Sequence, residues 1–142
     1  MQNKNVQNVQ QNMLEIARAV MKNSYSPYSH YRVGACIRTE DNQLFSGTNV
    51  ENASYGLCVC AETAAIAAMI SAGHHKIQEL VVLSQHQEHP TALCAPCGAC
   101  RQRIAEFSSP TTRIHLADSS GIQKTFTTAE LLPEAFGPQH LK

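Results

Sequence analysis

A thiol at Cys60 and a pair at Cys97 and Cys100, in the runs Cys60-Ala61-Glu62 and Pro96-Cys97-Gly98-Ala99-Cys100, constrain this chain more than any other feature. If the three sulfurs serve one zinc ion, two segments far apart in sequence have to meet. Three protein ligands leave a fourth position for water, which is the arrangement of catalytic zinc; structural zinc is closed by four. Glu62, two residues from the first thiol, then stands beside the open position and can move protons. Cys58 and Cys94 are the competing ligands. A closed four-cysteine site or an iron–sulfur cluster would use Cys94-x-x-Cys97-x-x-Cys100 with Cys58 or Cys60, but neither needs Glu62. Otherwise Cys58 and Cys94 read as core or supporting thiols, and Cys36, inside an expected strand, as a small core residue.

A chain of 142 residues makes one ordinary domain, residues 1–142, with a real core and no need of crosslinks. Met1 to Asn12 is mostly Gln and Asn, so residues 1–6 are expected to be a flexible polar end without the apolar run of a secretory signal. That reading places the protein in the cytoplasm, where six cysteines are metal ligands or buried thiols before they are disulfides. No stretch has the length of a membrane span. Eleven basic residues balance eleven acidic ones. A chain that tracks nucleic acid usually shows a basic face, so a small neutral substrate is favoured over nucleic acid or a membrane.

Apolar residues at helical spacing from Val6 to Val20 predict a helix over 7–22, broken by Ser26-Pro27. Val33 to Arg38 and Leu44 to Val50 read as strands joined by Glu40-Asp41-Asn42. Ala61 to Ala72 is an alanine-rich helix ended by Gly73. The run Leu80-Val81-Val82-Leu83 suggests a strand covered on both faces. A helix starting near Pro96 and stopping before Pro110 follows. Arg113 to Ala117 and Lys124 to Thr127 complete a five-stranded sheet, before a short helix in the tail. Both thiol clusters thus fall at helix starts, where free N–H groups lower thiol pKa. Two helix dipoles, roughly +0.5 each, offset the net negative charge of three thiolates on Zn²⁺.

These residues resemble the cytidine deaminases, in particular the short, homotetrameric, three-cysteine type. The likeness runs from Pro27-Tyr28-Ser29-His30-Tyr31-Arg32-Val33-Gly34-Ala35 to the Leu132-Pro133 tail. It is most specific in Asn49-Val50-Glu51-Asn52-Ala53-Ser54-Tyr55-Gly56 and in the two thiol motifs. The resemblance implies an α/β fold with three α-β-α layers around a mixed five-stranded sheet. It also implies one zinc per subunit and a homotetramer with shared active sites. In it Cys60, Cys97 and Cys100 hold the metal and Glu62 is catalytic. Asn49 and Glu51 would bind the ribose, with Glu51 repelling a phosphate, so that the free nucleoside is preferred. Ala53 would offer backbone groups to the base, and Tyr31 would pack on the pyrimidine. Tyr55 and Phe136 resemble residues that complete a neighbouring subunit's pocket. Tyr31 and Phe136 also read as core aromatics, and Asn49 as a turn residue at a strand end.

The implied reaction is hydrolysis of cytidine and deoxycytidine to uridine and deoxyuridine plus ammonia, in pyrimidine salvage. Water activated at the metal attacks C4 while Glu62 protonates N3 and then the departing amine. One position departs from the tetrameric type, which has an arginine after the glutamate; here it is Thr63. Thr63 can give a sulfur one hydrogen bond but no charge, which leaves the helix dipoles, Arg101 or another cation to balance the thiolates. Blasticidin-S deaminase shares the zinc motifs and also lacks that arginine, but Asn49, Glu51 and Tyr55 argue for plain nucleosides. The seven histidines lie outside the zinc signature, and His74-His75 reads as a solvated loop.

Overall fold

The computed structural model describes residues 3–90 and 92–142. In chain order the elements are α1 (Lys4–Met21), β1 (Tyr31–Thr39), β2 (Leu44–Thr48), α2 (Ala61–Ser71), β3 (Ile77–His86), α3 (Gly98–Glu106), β4 (Arg113–Asp118), β5 (Gly121–Thr127) and α4 (Thr128–Leu131). The strands form one five-stranded sheet in the order β2-β1-β3-β4-β5. Only β3 and β4 pair in parallel, and the other pairings are antiparallel. A parallel pair cannot be joined by a tight turn, so the chain crosses over through α3.

Alternation along the strands explains the layers. Val33, Ala35, Ile37, Leu80, Val82, Ile114 and Leu116 face α2 and α3, packing with Ala61, Ala65, Met69 and Ile104. Their sequence neighbours Cys36, Val81, Leu83 and Ala117 face α1, against Met13, Leu14, Ala17 and Met21. The run Leu80-Val81-Val82-Leu83 is therefore apolar throughout because both of its faces are covered. This is the expected three-layer α/β arrangement with a mixed sheet. Cys36 is fully buried and burial pushes its thiol up to about 12, so it is a core residue.

Close backbone approach sets the position of α2. A Cβ added at Gly47 of β2 would meet the backbone nitrogen of Ala65 and lie 2.7 Å from the carbonyl of Ala61. Only glycine lets the first turns of α2 rest on the strand itself. The bend at Asn42 (φ 64°) and the stop at Gly73 (φ 89°) both use left-handed backbone, as the hairpin and helix end required.

The face under α1 holds a buried charge. Glu79 accepts from Arg38 (3.2 and 3.0 Å), Arg113 (2.6 Å) and Gln10 (3.4 Å), and its Oε1 lies 3.2 Å from His115 Nε2. Burial opposes its ionisation. Hydrogen bonds from His115 and Arg38, with the charge of Arg113, outweigh that and hold Glu79 at about 2.

Several element bounds differ from expectation, and four of the differences have a clear local cause. Asn3 caps α1 through its side chain, accepting from the Asn5 N–H at 3.3 Å, so residues 4–6 form its first turn, ahead of the expected start at residue 7; residues 1–2 lie outside the described residues. β2 stops at Thr48, because Asn49 turns its side chain inward and Val50 bridges to Tyr25 and Val59 instead. α3 begins at Gly98, with Cys97 and not Pro96 at its cap. β5 reaches back to Gly121, whose φ of 116° closes the turn from β4. No helix among the described residues is long and apolar enough to cross a membrane.

Candidate active site

Registers bring three chain segments to one end of the sheet. Tyr31, the first residue of β1, is paired with His86, the last of β3, and β2 ends beside Gly34. The N-termini of α2 and α3 follow β2 and β3, so both open at this end. Cys60 is the N-cap residue of α2 and Cys97 that of α3, and neither side chain makes a capping hydrogen bond. Their thiols are left to turn toward each other. With Cys100, on the first turn of α3 and fully buried, their sulfurs all lie within 4.8 Å of one another. The Cys100 thiol donates to Cys60, which lowers the Cys60 pKa and raises that of Cys100. Three sulfurs at two helix N-termini fit the donor set of a zinc ion.

Cys58 and Cys94 stay outside this cluster. Cys58 is exposed and so not a core thiol; it supports the site from the loop after β2, where its sulfur accepts from the Asn52 N–H at 3.3 Å and lines the cavity beside Glu51. Cys94 is half-buried beside Tyr31, and burial pushes its thiol up. Thr63 places its hydroxyl 3.7 Å from Cys100 Sγ, the uncharged contact that its side chain allows. Arg101 spends its guanidinium on backbone carbonyls, 2.7 Å from Pro96 and 2.8 Å from Leu131. It clamps the loop before α3 to the end of α4.

Glu62, in the first turn of α2, is 5 % exposed. Burial holds its carboxyl above the usual range, while contact with Cys100 and the backbone works the other way. A carboxyl whose neutral form burial favours, set beside the thiols, is placed to take up a proton and hand it on. It opens on a cavity of about 260 Å³, the size of a small molecule, lined also by Tyr31, Asn49, Glu51, Cys60, Cys94 and Cys97. Tyr31 shares the parity of Val33 and Ala35, which turns its ring to the helix side. Burial raises its hydroxyl pKa, aided by a hydrogen bond with Cys94.

Asn49 is held on three sides. Its Nδ2 donates to the Tyr31 carbonyl at 2.7 Å, and its Oδ1 accepts from Val33 N–H at 3.0 Å and Ser24 Oγ at 2.6 Å. One N–H remains, so Asn49 can offer a ligand a single donor. Glu51 accepts from the N–H groups of Tyr28 (3.0 Å) and Ser29 (3.1 Å) on Oε1, and from Ser29 Oγ (2.5 Å) on Oε2. Burial works against its charge, but these bonds prevail and its pKa is lowered. Ser24 and Ser29 had no role in the sequence reading. The break at Pro27 marked their loop but not the side chains it would aim at Asn49 and Glu51.

Ala53, Tyr55 and Phe136 do not line this cavity. Ala53 sits on an exposed bend. Tyr55 is 77 % exposed, edge-on to Tyr28, and Phe136 is 57 % exposed, stacked on His140. Neither aromatic is a core residue.

Residues 7–116 match the sequence profile of the family described as the cytidine and deoxycytidylate deaminase zinc-binding region. Cytidine deaminase of Mycoplasma genitalium is 38 % identical over 117 residues, covering 82 % of this chain and 87 % of that protein. That of Halalkalibacterium halodurans is 36 % identical over 126 residues, covering 89 % and 92 %. Among solved structures, cytidine deaminase from Burkholderia pseudomallei superposes with a TM-score of 0.81 at 38 % identity, covering 89 % of this chain and 98 % of that one. The Mycobacterium tuberculosis enzyme gives a TM-score of 0.74 at 32 % identity, covering 89 % and 96 %.

Proposed function

This chain belongs to the cytidine and deoxycytidylate deaminase family of zinc enzymes, and from that premise we propose that it hydrolyses cytidine and deoxycytidine to uridine and deoxyuridine plus ammonia, as a step of pyrimidine salvage in the cytoplasm. One observation carries the reading: three sulfurs from two helix N-termini converge beside the buried Glu62, on a cavity whose other wall is Tyr31, Asn49 and Glu51. In this reading residues 1–142 act as one catalytic domain.

Cys60, Cys97 and Cys100 would hold the zinc. Bound there, it supplies Lewis acidity, which makes a water molecule acidic enough to act as a nucleophile near neutral pH. Glu62 takes the proton that this water gives up and delivers it to N3 of the base as C4 is attacked. It then moves the proton left on the oxygen newly bonded to C4 to the exocyclic amine, which leaves as ammonia as the C4 carbonyl forms. Tyr31 packs on the pyrimidine, and the remaining N–H of Asn49 donates to a ribose oxygen. Glu51 accepts from ribose hydroxyls, its carboxylate kept in place by Ser29. The same negative charge disfavours a phosphate at the 5′ position. Zero formal net charge supports a free nucleoside over nucleic acid.

Ala53 and Tyr55 belong to the loop beside the cavity, and Phe136 to the tail. Tyr25, Tyr28, Val50, Tyr55, Leu57, Val59 and Phe136 are all exposed and apolar, which supports a homotetramer in which Tyr55 and Phe136 complete a neighbour's site. Sedimentation velocity reads the oligomer, and a monomer at micromolar concentration would remove that part. Ultraviolet absorbance on mixing the protein with cytidine, deoxycytidine, cytidine monophosphate and blasticidin S tests the reaction. The two nucleosides should turn over and the other two react poorly. No change with cytidine would refute the proposal.

A further inference from the structure

His86 ends β3 with its ring against Tyr31, the centroids 5.4 Å apart. The N–H of Glu88 donates to His86 Nδ1 at 3.2 Å, and the turn so formed brings His89 back over His86. The two imidazoles stack with centroids 5.4 Å apart and planes 17° from parallel. One donor atom from each of His86, Glu88 and His89 then lies within 4.8 Å of the other two. Among the described residues, only this group and the three thiols bring three such donors together. None of the three has a part in the deamination proposed above.

We propose that His86, Glu88 and His89 form a second divalent-cation site, at the rim of the cavity beside Tyr31, for a metal such as zinc, cobalt or nickel. The donor set decides the class. Imidazole suits these metals, whereas magnesium and calcium prefer oxygen alone. Two neutral imidazoles and one carboxylate leave a divalent ion with net positive charge and with positions free for water, so binding is weaker and more exchangeable than at three thiolates.

Geometry favours assembly around His86. Its ring is half-buried and already oriented by Tyr31, while Glu88 and His89 are exposed and can close on it. Zinc–nitrogen bonds of about 2.0–2.1 Å require such closing. Coordination at Nδ1 displaces the Glu88 N–H. Coordination at Nε2 puts the ring proton on Nδ1 and breaks the same bond. Either way the Glu88 amide is released, a change that loose surface binding would not produce.

Titrating cobalt into protein that already carries its zinc tests this without any nucleoside, so the outcome is independent of the deaminase reading. Wild type should take up one further equivalent, with weak visible bands and no thiolate charge transfer, and a further equivalent of diamagnetic zinc in its place should shift the Glu88 amide resonance. His89→Ala should lose this equivalent, and Glu88→Gln should bind it roughly 10–100-fold more weakly. Both should keep their zinc and thermal midpoint, and His75→Ala, at another exposed histidine, should titrate like wild type. Failure of wild type to saturate, an unmoved Glu88 resonance, or equal binding by His89→Ala would mean an adventitious ion only and overturn the proposal.

Discussion

Ser29 holds the carboxylate of Glu51 with two groups at once, its N–H at 3.1 Å and its hydroxyl at 2.5 Å. A carboxylate gripped in this way keeps its charge and cannot rotate away from the cavity.

Glu51→Gln should therefore raise KM for cytidine by about 10- to 100-fold, the range for losing a hydrogen bond to a charged group. It should also narrow the preference for cytidine over cytidine monophosphate, since the repelling charge is gone. Steady-state kinetics on both substrates check this; an unchanged preference would detach Glu51 from the ribose.

Glu62→Gln should keep zinc and fold yet lose at least about 10²–10⁴-fold in kcat, the contribution of a positioned acid–base group. Cys97→Ala should fail differently, losing zinc and with it thermal stability, because metal binding is linked to folding. Metal content and thermal midpoint, measured beside turnover, separate the two failures.

Gly47→Ala tests how α2 is seated. The added methyl meets the backbone of Ala65 and Ala61, so the helix must move off β2. A loss of about 1–3 kcal/mol is expected from such overpacking, and turnover should fall further because Cys60 and Glu62 ride on the displaced turn. Denaturant unfolding and activity read the two effects.

The buried Glu79 gives an acid dependence with a definite sign. Its folded pKa, about 2, lies below the ordinary 4.5, so its stabilisation is present in full above 4.5. It is lost as pH falls from there toward 2. Glu79→Leu should cost roughly 3 kcal/mol at pH 7, the lower end for breaking a buried pair, since Arg113 can turn to water. It should also flatten the dependence below 4.5, which denaturant midpoints across acid pH would show.

Turn residues and one apolar run made most of the sheet legible. The link at residues 40–42 set off the first two strands, and the fully apolar run at Leu80 gave away the covered central strand. Helical spacing found α1 but missed its first turn, because Asn3 caps through a side chain that composition cannot aim. The thiol motifs brought residues 60, 97 and 100 together on paper, and the registers do so in space. What stayed hidden was loop geometry: Ser24 on Asn49, Ser29 on Glu51, Tyr31 beside Cys94. Each depends on a hydrogen bond between segments with no shared period. Arg101 illustrates the same limit, since a cation inside a motif invites an electrostatic role, whereas its partners are carbonyls of two loops.

Helix α2 and strand β3 separate the sulfur of Cys60 from those of Cys97 and Cys100, which lie on the crossover from β3 to β4, during biosynthesis. The ribosome delivers the first thiol with its hairpin and helix long before the other two exist. An ion that waits for all three thus closes a long loop, and restricts the unfolded chain as a covalent link would. Zinc supply during translation, and not only afterwards, should set how much of the newly made chain reaches its native state.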